Sequence, residues 1–273
     1  MDIRPVGIFD SGMGGASLLR DALELLPNEN YIFYGDNANA PYGDRSEEEI
    51  LALTSAAADL LVGHGVKALV LACNTATSAS INVLRKKLEV PVVSIEPAIK
   101  PACERPGEGK VFMLATAATT KLARYKALQA RMPDPDRVIN VGISGIVARV
   151  ERGEIGPGCF DDILDAYLEP YFGMTADAVV LGCTHYIFPA EAIELYFKEH
   201  FKGECRLYDG NRATVRQLGR VLARNGLLNP GGESRVEFFT SGDSAVFEPV
   251  FRQLLNTPIY VPERVSQDPK PEK

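Results

Sequence analysis

The stretch Ala68-Leu69-Val70-Leu71-Ala72 is apolar at every position and has the length of a strand. A strand with no polar alternation must be covered on both faces, which calls for a parallel sheet with helices on each side. The surrounding chain supplies that pattern. Val6-Gly7-Ile8-Phe9 is a second short apolar strand, and Asp10-Ser11-Gly12-Met13-Gly14-Gly15 turns the chain after it. Leu18, Leu19, Ala22, Leu25 and Leu26 then recur at helical spacing up to Pro27. Residues 31–34 form another strand, followed by a loop around Pro41-Tyr42-Gly43. Ser46 with Glu49 three residues later is a capping box, opening a helix that runs to about Val62. Behind Asn74-Thr75 a helix reaches about Leu88. Further strands are predicted at 92–95, 111–114, 138–141, 178–181, 206–208 and 236–239, nearly all separated by helical patterns. The expected fold is α/β with mostly parallel sheets and right-handed crossovers, ligands gathering at the carboxyl ends of the strands.

One internal echo stands out. Leu69-Val70-Leu71-Ala72-Cys73-Asn74-Thr75 is similar to Val179-Val180-Leu181-Gly182-Cys183-Thr184-His185, each a buried strand ending in cysteine with a helix expected behind it. If the echo is more than chance, the chain holds two similar α/β domains facing each other, each contributing one cysteine.

Composition removes several classes. The 273 residues are 46% hydrophobic and 24% charged, as in ordinary globular proteins. With 29 basic against 36 acidic residues and no basic stripe, no nucleic-acid partner is expected. No apolar run approaches the roughly 20 residues that span a bilayer, so no membrane partner is expected either. The start of the chain lacks a signal-peptide pattern, and five scattered cysteines without a CxxC pair suit neither a disulfide scaffold nor structural zinc. No metal site is predicted, and the cytoplasm is the expected compartment. Residues 262–273 hold three prolines in polar company and are expected to be a disordered tail.

Cys73 and Cys183 differ from the other cysteines in closing strands, where free backbone N–H groups and a helix dipole stabilise a thiolate. Cys103, Cys159 and Cys205 are expected to be small core hydrophobes. A free thiol titrates near ~8.5, so a modest downward shift would leave a mixture of thiol and thiolate at neutral pH. His185 lies two residues after Cys183 and is suited to carry a proton to or from a thiol. The glycine-rich loop after Asp10 admits two readings. It is a tight turn using glycine for positive φ, or an anion site on backbone N–H groups. Asp10 would repel phosphate and fits an ammonium group or a proton relay better.

Together these stretches resemble the glutamate racemase family. The resemblance rests on Phe9-Asp10-Ser11-Gly12-Met13-Gly14-Gly15, Tyr34-Gly35-Asp36 with Pro41-Tyr42-Gly43, and Ala72-Cys73-Asn74-Thr75-Ala76. Glu96-Pro97, Leu181-Gly182-Cys183-Thr184-His185-Tyr186 and Thr240-Ser241-Gly242-Asp243 continue it in order, over roughly residues 6 to 255. It implies an isomerase, a cofactor-independent racemase interconverting L- and D-glutamate for peptidoglycan synthesis. Cys73 and Cys183 match the family's two catalytic cysteines, the first assigned to D-glutamate and the second to L-glutamate. Asp10 matches the group assisting the first and His185 the group assisting the second. Asp36 and Glu151 match supporting acids. Substrate contacts fall on Ser11, Tyr42, Gly43, Asn74, Thr75 and Thr184, with Thr116 and Thr119 in a weaker threonine motif.

The resemblance also implies two domains with the active site in the cleft between them, 1–97 plus 210–261 and 98–209. It implies a homodimer as the assembly to test. Some family members carry an N-terminal extension and respond to a cell-wall precursor. With five residues before Val6, this chain is expected to act without a nucleotide-sugar activator. Three stretches depart from the family pattern: 141–146, 208–210, and Ile187-Phe188 where proline is common. The first two put packing behind the site and contacts between domains in question. The rival functions are an aspartate or other amino-acid racemase, a cysteine-nucleophile hydrolase using one thiol with His185, and a non-catalytic amino-acid binding module.

Overall fold

A computed structural model describes residues 2–156 and 158–257. The predicted tail, 262–273, and the last residues of the first predicted domain lie outside the described residues. Nine strands are formed among the described residues: β1 (Val6–Asp10), β2 (Tyr31–Gly35), β3 (Ala68–Leu71), β4 (Val92–Ser94), β5 (Lys110–Ala115), β6 (Val138–Gly142), β7 (Ala176–Leu181), β8 (Arg206–Tyr208) and β9 (Val236–Thr240). They build two sheets, ordered β4-β3-β1-β2-β9 and β6-β5-β7-β8. Every pairing between these strands is parallel, and helices lie between most of them, so the α/β expectation holds.

Burial explains the strand order. The fully apolar β3 and the adjoining β1 are buried at every residue, whereas β9 is half-exposed at the sheet edge. β9 comes from the far end of the chain and pairs with β2 in register Tyr31↔Val236 to Gly35↔Thr240, so the first sheet uses both ends of the sequence. Phe33, Phe238 and Phe251 stack beneath it, joining the sheet to the helix Ser244–Asn256. In the second sheet Phe112 packs edge-on against Tyr171, Phe197 and Phe201. One continuous apolar cluster includes Val6, Ile8 and Ala72 from the first sheet and Phe112, Leu114 and Leu181 from the second. The two sheets therefore share part of their core.

The capping box forms as expected. Glu49 N–H donates to Ser46 Oγ at 3.2 Å, and Ser46 N–H donates to Glu49 Oε2 at 2.9 Å, opening the helix Glu47–Gly63. At the amino ends of the strands, Lys67 is buried with its Nζ 2.5 Å from Glu29 Oε2. The ammonium also donates to Asp2 O at 2.6 Å, so neither buried charge is left unpaired. Among the described residues no helix is long and apolar enough to cross a membrane.

The carboxyl ends carry the candidate chemistry. β1 ends in Asp10, β3 leads to Cys73, β5 to Thr116 and β7 to Cys183.

Candidate active site

Cys73 caps the helix Asn74–Lys87 in extended conformation, its Sγ accepting from Ala76 N–H at 3.4 Å. Ser11 Oγ lies 3.3 Å from the sulfur and 3.4 Å from Asp10 Oδ1. A Cys73 thiol can thus donate to Ser11, whose own proton points to Asp10. The expectation of a lowered Cys73 pKa is corrected here. Burial first, and the Asp10 charge second, push the thiol up to about 12, overriding the contacts from Ser11 and the helix N–H. Cys73 is held as a thiol.

Asp10 is fully buried. Its Oδ2 accepts from Thr184 Oγ1 at 2.9 Å and its Oδ1 from Gly12 N–H at 3.1 Å. Burial raises its pKa, against the opposing pull of His185 and these hydrogen bonds.

Cys183 also ends its strand in extended conformation, but the chain continues into a 3₁₀ turn, Thr184–Ile187, not the helix the echo predicted. The helix Ala190–His200 begins later. The tight turn brings His185 back beside its own cysteine, with Nδ1 3.8 Å from Cys183 Sγ. On the other side of the ring, Nε2 lies 2.6 Å from Glu151 Oε1. Burial lowers the pKa of His185, yet the hydrogen bonds to Cys183 and Glu151 outweigh it, and the imidazole is raised well above its ordinary value.

The positive-φ reading of the glycine loop does not hold. None of Gly12, Gly14 and Gly15 has positive φ. A Cβ on Gly12 would stand 2.2 Å from Glu151 Oε1, and one on Gly14 2.3 Å from His185 Nδ1. The loop is glycine so that side chains from the second sheet can press against its backbone. Glu151 does so directly, accepting from Met13 N–H at 2.6 Å.

Ten of the predicted site residues line one cavity: Ser11, Tyr42, Gly43, Cys73, Asn74, Thr75, Thr116, Cys183, Thr184 and His185. The other four stand behind them. Asp10 lies under Ser11 and Thr184, and Glu151 behind His185. Asp36 accepts the Tyr42 hydroxyl at 2.5 Å and is further held by Asn39 and Ser241. Thr119 closes a triangle of hydroxyls with Thr75 and Thr116, at 2.9 and 3.0 Å, tying the helix after Cys73 to the end of β5. Asn74 Oδ1 is buried without a hydrogen-bond partner, so it offers an acceptor to a ligand N–H. The cavity measures about 20 Å³, enough for a water at about 10–15 Å³ but not for an amino acid, so its walls must part to admit one.

Sequence reasoning missed Gly12, Ala40, Pro41, Val147 and Gly182, which also line the cavity, and Asn37, whose Nδ2 donates to Glu151 Oε2 at 2.9 Å. Pro41 and Gly182 lay inside stretches already singled out. Asn37 follows one of them directly but carried no signal of its own. Val147 comes from the helix Ile146–Glu151, which starts in one of the departing stretches. Packing behind the site is nevertheless satisfied there, because the Tyr186 hydroxyl donates to Ile143 O at 2.9 Å. At the other departure, Asp209 accepts from Asn211 N–H, and Asn211 donates to Ser17 near the glycine loop. Among the described residues no group of three or more His, Cys, Asp or Glu side chains is placed to hold a metal.

The Asp/Glu/Hydantoin racemase family matches residues 14–218. A glutamate racemase of Clostridium perfringens is 41% identical over 224 residues, 82% of this chain and 85% of the relative. One from Herpetosiphon aurantiacus is 40% identical over 256 residues, 93% of this chain and 99% of the relative. The crystal structure of a Francisella tularensis glutamate racemase in complex with D-glutamate superimposes with a TM-score of 0.81 at 26% identity, covering 94% of this chain and 95% of that one. This chain belongs to the aspartate/glutamate racemase family, among its glutamate racemases, and is an amino-acid racemase, an isomerase.

Proposed function

We propose that this chain interconverts L- and D-glutamate without a cofactor, by proton transfer between Cys73 and Cys183. The observation that carries the reading is that these two thiols, ending strands of different sheets, line one cavity. Racemisation takes the α-proton from one face of the carbon and returns a proton to the other. A thiolate on one side and a thiol on the other do this in either direction, exchanging roles with the enantiomer. Cys73, held as a thiol, is the proton donor when L-glutamate reacts, and Cys183 beside His185 is the base. Each turnover leaves the two sulfurs with their protonation exchanged.

The α-proton is weakly acidic, so charge developing on the substrate must be met by fixed donors. The hydroxyls of Thr75 and Thr116 and the backbone N–H groups around Ser11 and Asn74 are suited to this. Asn74 Oδ1 suits the substrate ammonium. Closure of the walls would exclude water and strengthen these contacts. The two sheets are read as two domains, 1–97 plus 210–261 and 98–209, closing on the substrate. Glutamate as substrate is supported by the names of the relatives. With it go D-glutamate supply for peptidoglycan, a cytoplasmic location and a homodimeric assembly.

The test is racemisation in D₂O followed by NMR. D-glutamate formed early from L-glutamate is expected to carry deuterium at Cα while remaining L-glutamate stays mostly protonated. Unlabelled D-glutamate would overturn the two-thiol scheme. Faster exchange of aspartate than of glutamate would overturn the substrate.

A further inference from the structure

A file of polar groups crosses from the edge of the first sheet to Cys183. Thr240, the last residue of β9, receives Gly242 N–H on its Oγ1 at 3.0 Å, so its hydroxyl proton is free to point at Asn37 Oδ1, 2.7 Å away. That fixes the orientation of the buried Asn37 amide and turns its Nδ2–H toward Glu151 Oε2 at 2.9 Å. Glu151 Oε1 already accepts from Met13 N–H, so each carboxylate oxygen has a donor of its own.

The ring nitrogen Nε2 of His185 faces two neighbours with opposite demands. Glu151 Oε1 at 2.6 Å requires a proton on Nε2, whereas Gly14 N–H at 3.2 Å requires a lone pair there. One nitrogen cannot satisfy both. With Glu151 held in place, the proton stays on Nε2. Were Glu151 to swing away, Gly14 would capture the lone pair and the tautomer would reverse.

We propose that Asn37 is a positioning residue for the Cys183 half of the reaction, holding Glu151 against His185 Nε2 so that Nδ1 exchanges its proton with Cys183. The proposal rests on the two-thiol reading and extends it to a residue on the opposite sheet. The charged and titratable groups facing His185 are Cys183 on its own turn, Glu151 from the helix Ile146–Glu151 after β6, and Asp10 from β1. Asn37 touches only Glu151 among them. It does not reach the reacting atoms and acts through the other two side chains.

The experiment uses the full chain labelled with ¹⁵N-histidine. Only three histidines are present, so the His185 ring signals can be assigned by the His185→Asn variant. Asn37→Ala is expected to move the His185 titration midpoint down by about one pH unit, the scale of one lost hydrogen bond to a charged group. It should lower kcat from L-glutamate about tenfold with less change in KM. Thr240→Val, which leaves Glu151 untouched, should move the midpoint the same way by a smaller amount. An unchanged His185 titration in folded Asn37→Ala would overturn the proposal, as would an unchanged one in Thr240→Val should Asn37→Ala not fold. An equal fall in activity with an unmoved titration would mark Asn37 as merely structural and also overturn it. A wild-type chain that fails to racemise glutamate would sink the two-thiol reading instead, while the titration would still decide the role of Asn37.

Discussion

Thr184 Oγ1 donates to Asp10 Oδ2 at 2.9 Å, so the carboxylate that serves Cys73 through Ser11 is itself held by the neighbour of Cys183. The two thiols are therefore not independent. The file from Cys73 through Ser11 and Asp10 ends on Thr184, the residue after Cys183.

In the proposed two-thiol scheme each thiol is the only base on its face, so replacing either should remove racemisation. Cys73→Ala and Cys183→Ala are each expected to cost at least the ~10²-fold that a general acid or base contributes. Cys103→Ala, in the core of the second sheet, should leave turnover near normal. A coupled assay for D-glutamate, with circular dichroism to confirm folding, reads the outcome. Near-normal turnover in either of the first two would contradict the scheme.

The raised Cys73 thiol makes stability depend on alkaline pH. In the unfolded chain the thiol ionises near its ordinary value of 9.0, whereas in the fold it keeps its proton up to about 12. Between those values the folded state binds the extra proton, so the stabilisation is full below pH 9.0 and is lost as pH rises toward about 12. One proton corresponds to a slope of about 1.4 kcal/mol per pH unit. The stability measured by urea unfolding should fall less steeply across this window for Cys73→Ala than for wild type. Identical slopes would place the Cys73 thiol at an ordinary value.

Gly14→Ala tests the close approach across the cleft. The added methyl would stand 2.3 Å from His185 Nδ1 and 2.6 Å from Thr184 Oγ1, separations no real Cβ tolerates. His185 must move away from Cys183. Activity should fall by at least about tenfold, since a displacement of about 1 Å can cost 10²-fold in catalysis, while the backbone at Gly14, with no positive φ, accepts alanine. Full activity would mean that His185 is not held where Cys183 needs it.

Asp10 and His185 should separate by direction. Asp10→Asn is expected to lower kcat more from D-glutamate, and His185→Asn more from L-glutamate. The equilibrium constant ties kcat/KM in the two directions, so the asymmetry is read in kcat and KM taken separately. Equal changes in every parameter would leave no division of labour between the two groups.

Much of the fold was legible because it follows from local pattern. The uninterrupted apolar run at β3 demanded burial on both faces, and both faces are buried. Ser46 and Glu49 lie three residues apart, so their mutual capping needs nothing from the rest of the chain. The cysteines ending β3 and β7 could be singled out for the same reason, since a strand's carboxyl end is where an α/β sheet presents side chains to a ligand.

Other features depend on groups distant in sequence and were not legible. Burial in the folded chain, together with Asp10, reversed the expected direction of the Cys73 pKa. The glycines at 12 and 14 looked like turn residues, yet their small size serves Glu151 and His185, which arrive from the second sheet. Asn37 carried no signal at all, because its meaning lies in Glu151, 114 positions away, and in Thr240, 203 positions away. The sequence by itself determined which segments become strands and helices and which side chains stand at their ends, since these follow from spacing and propensity. Where each proton rests around the two thiols was decided only by the tertiary structure, because desolvation and charge act through space and depend on neighbours that the chain brings together only once folded.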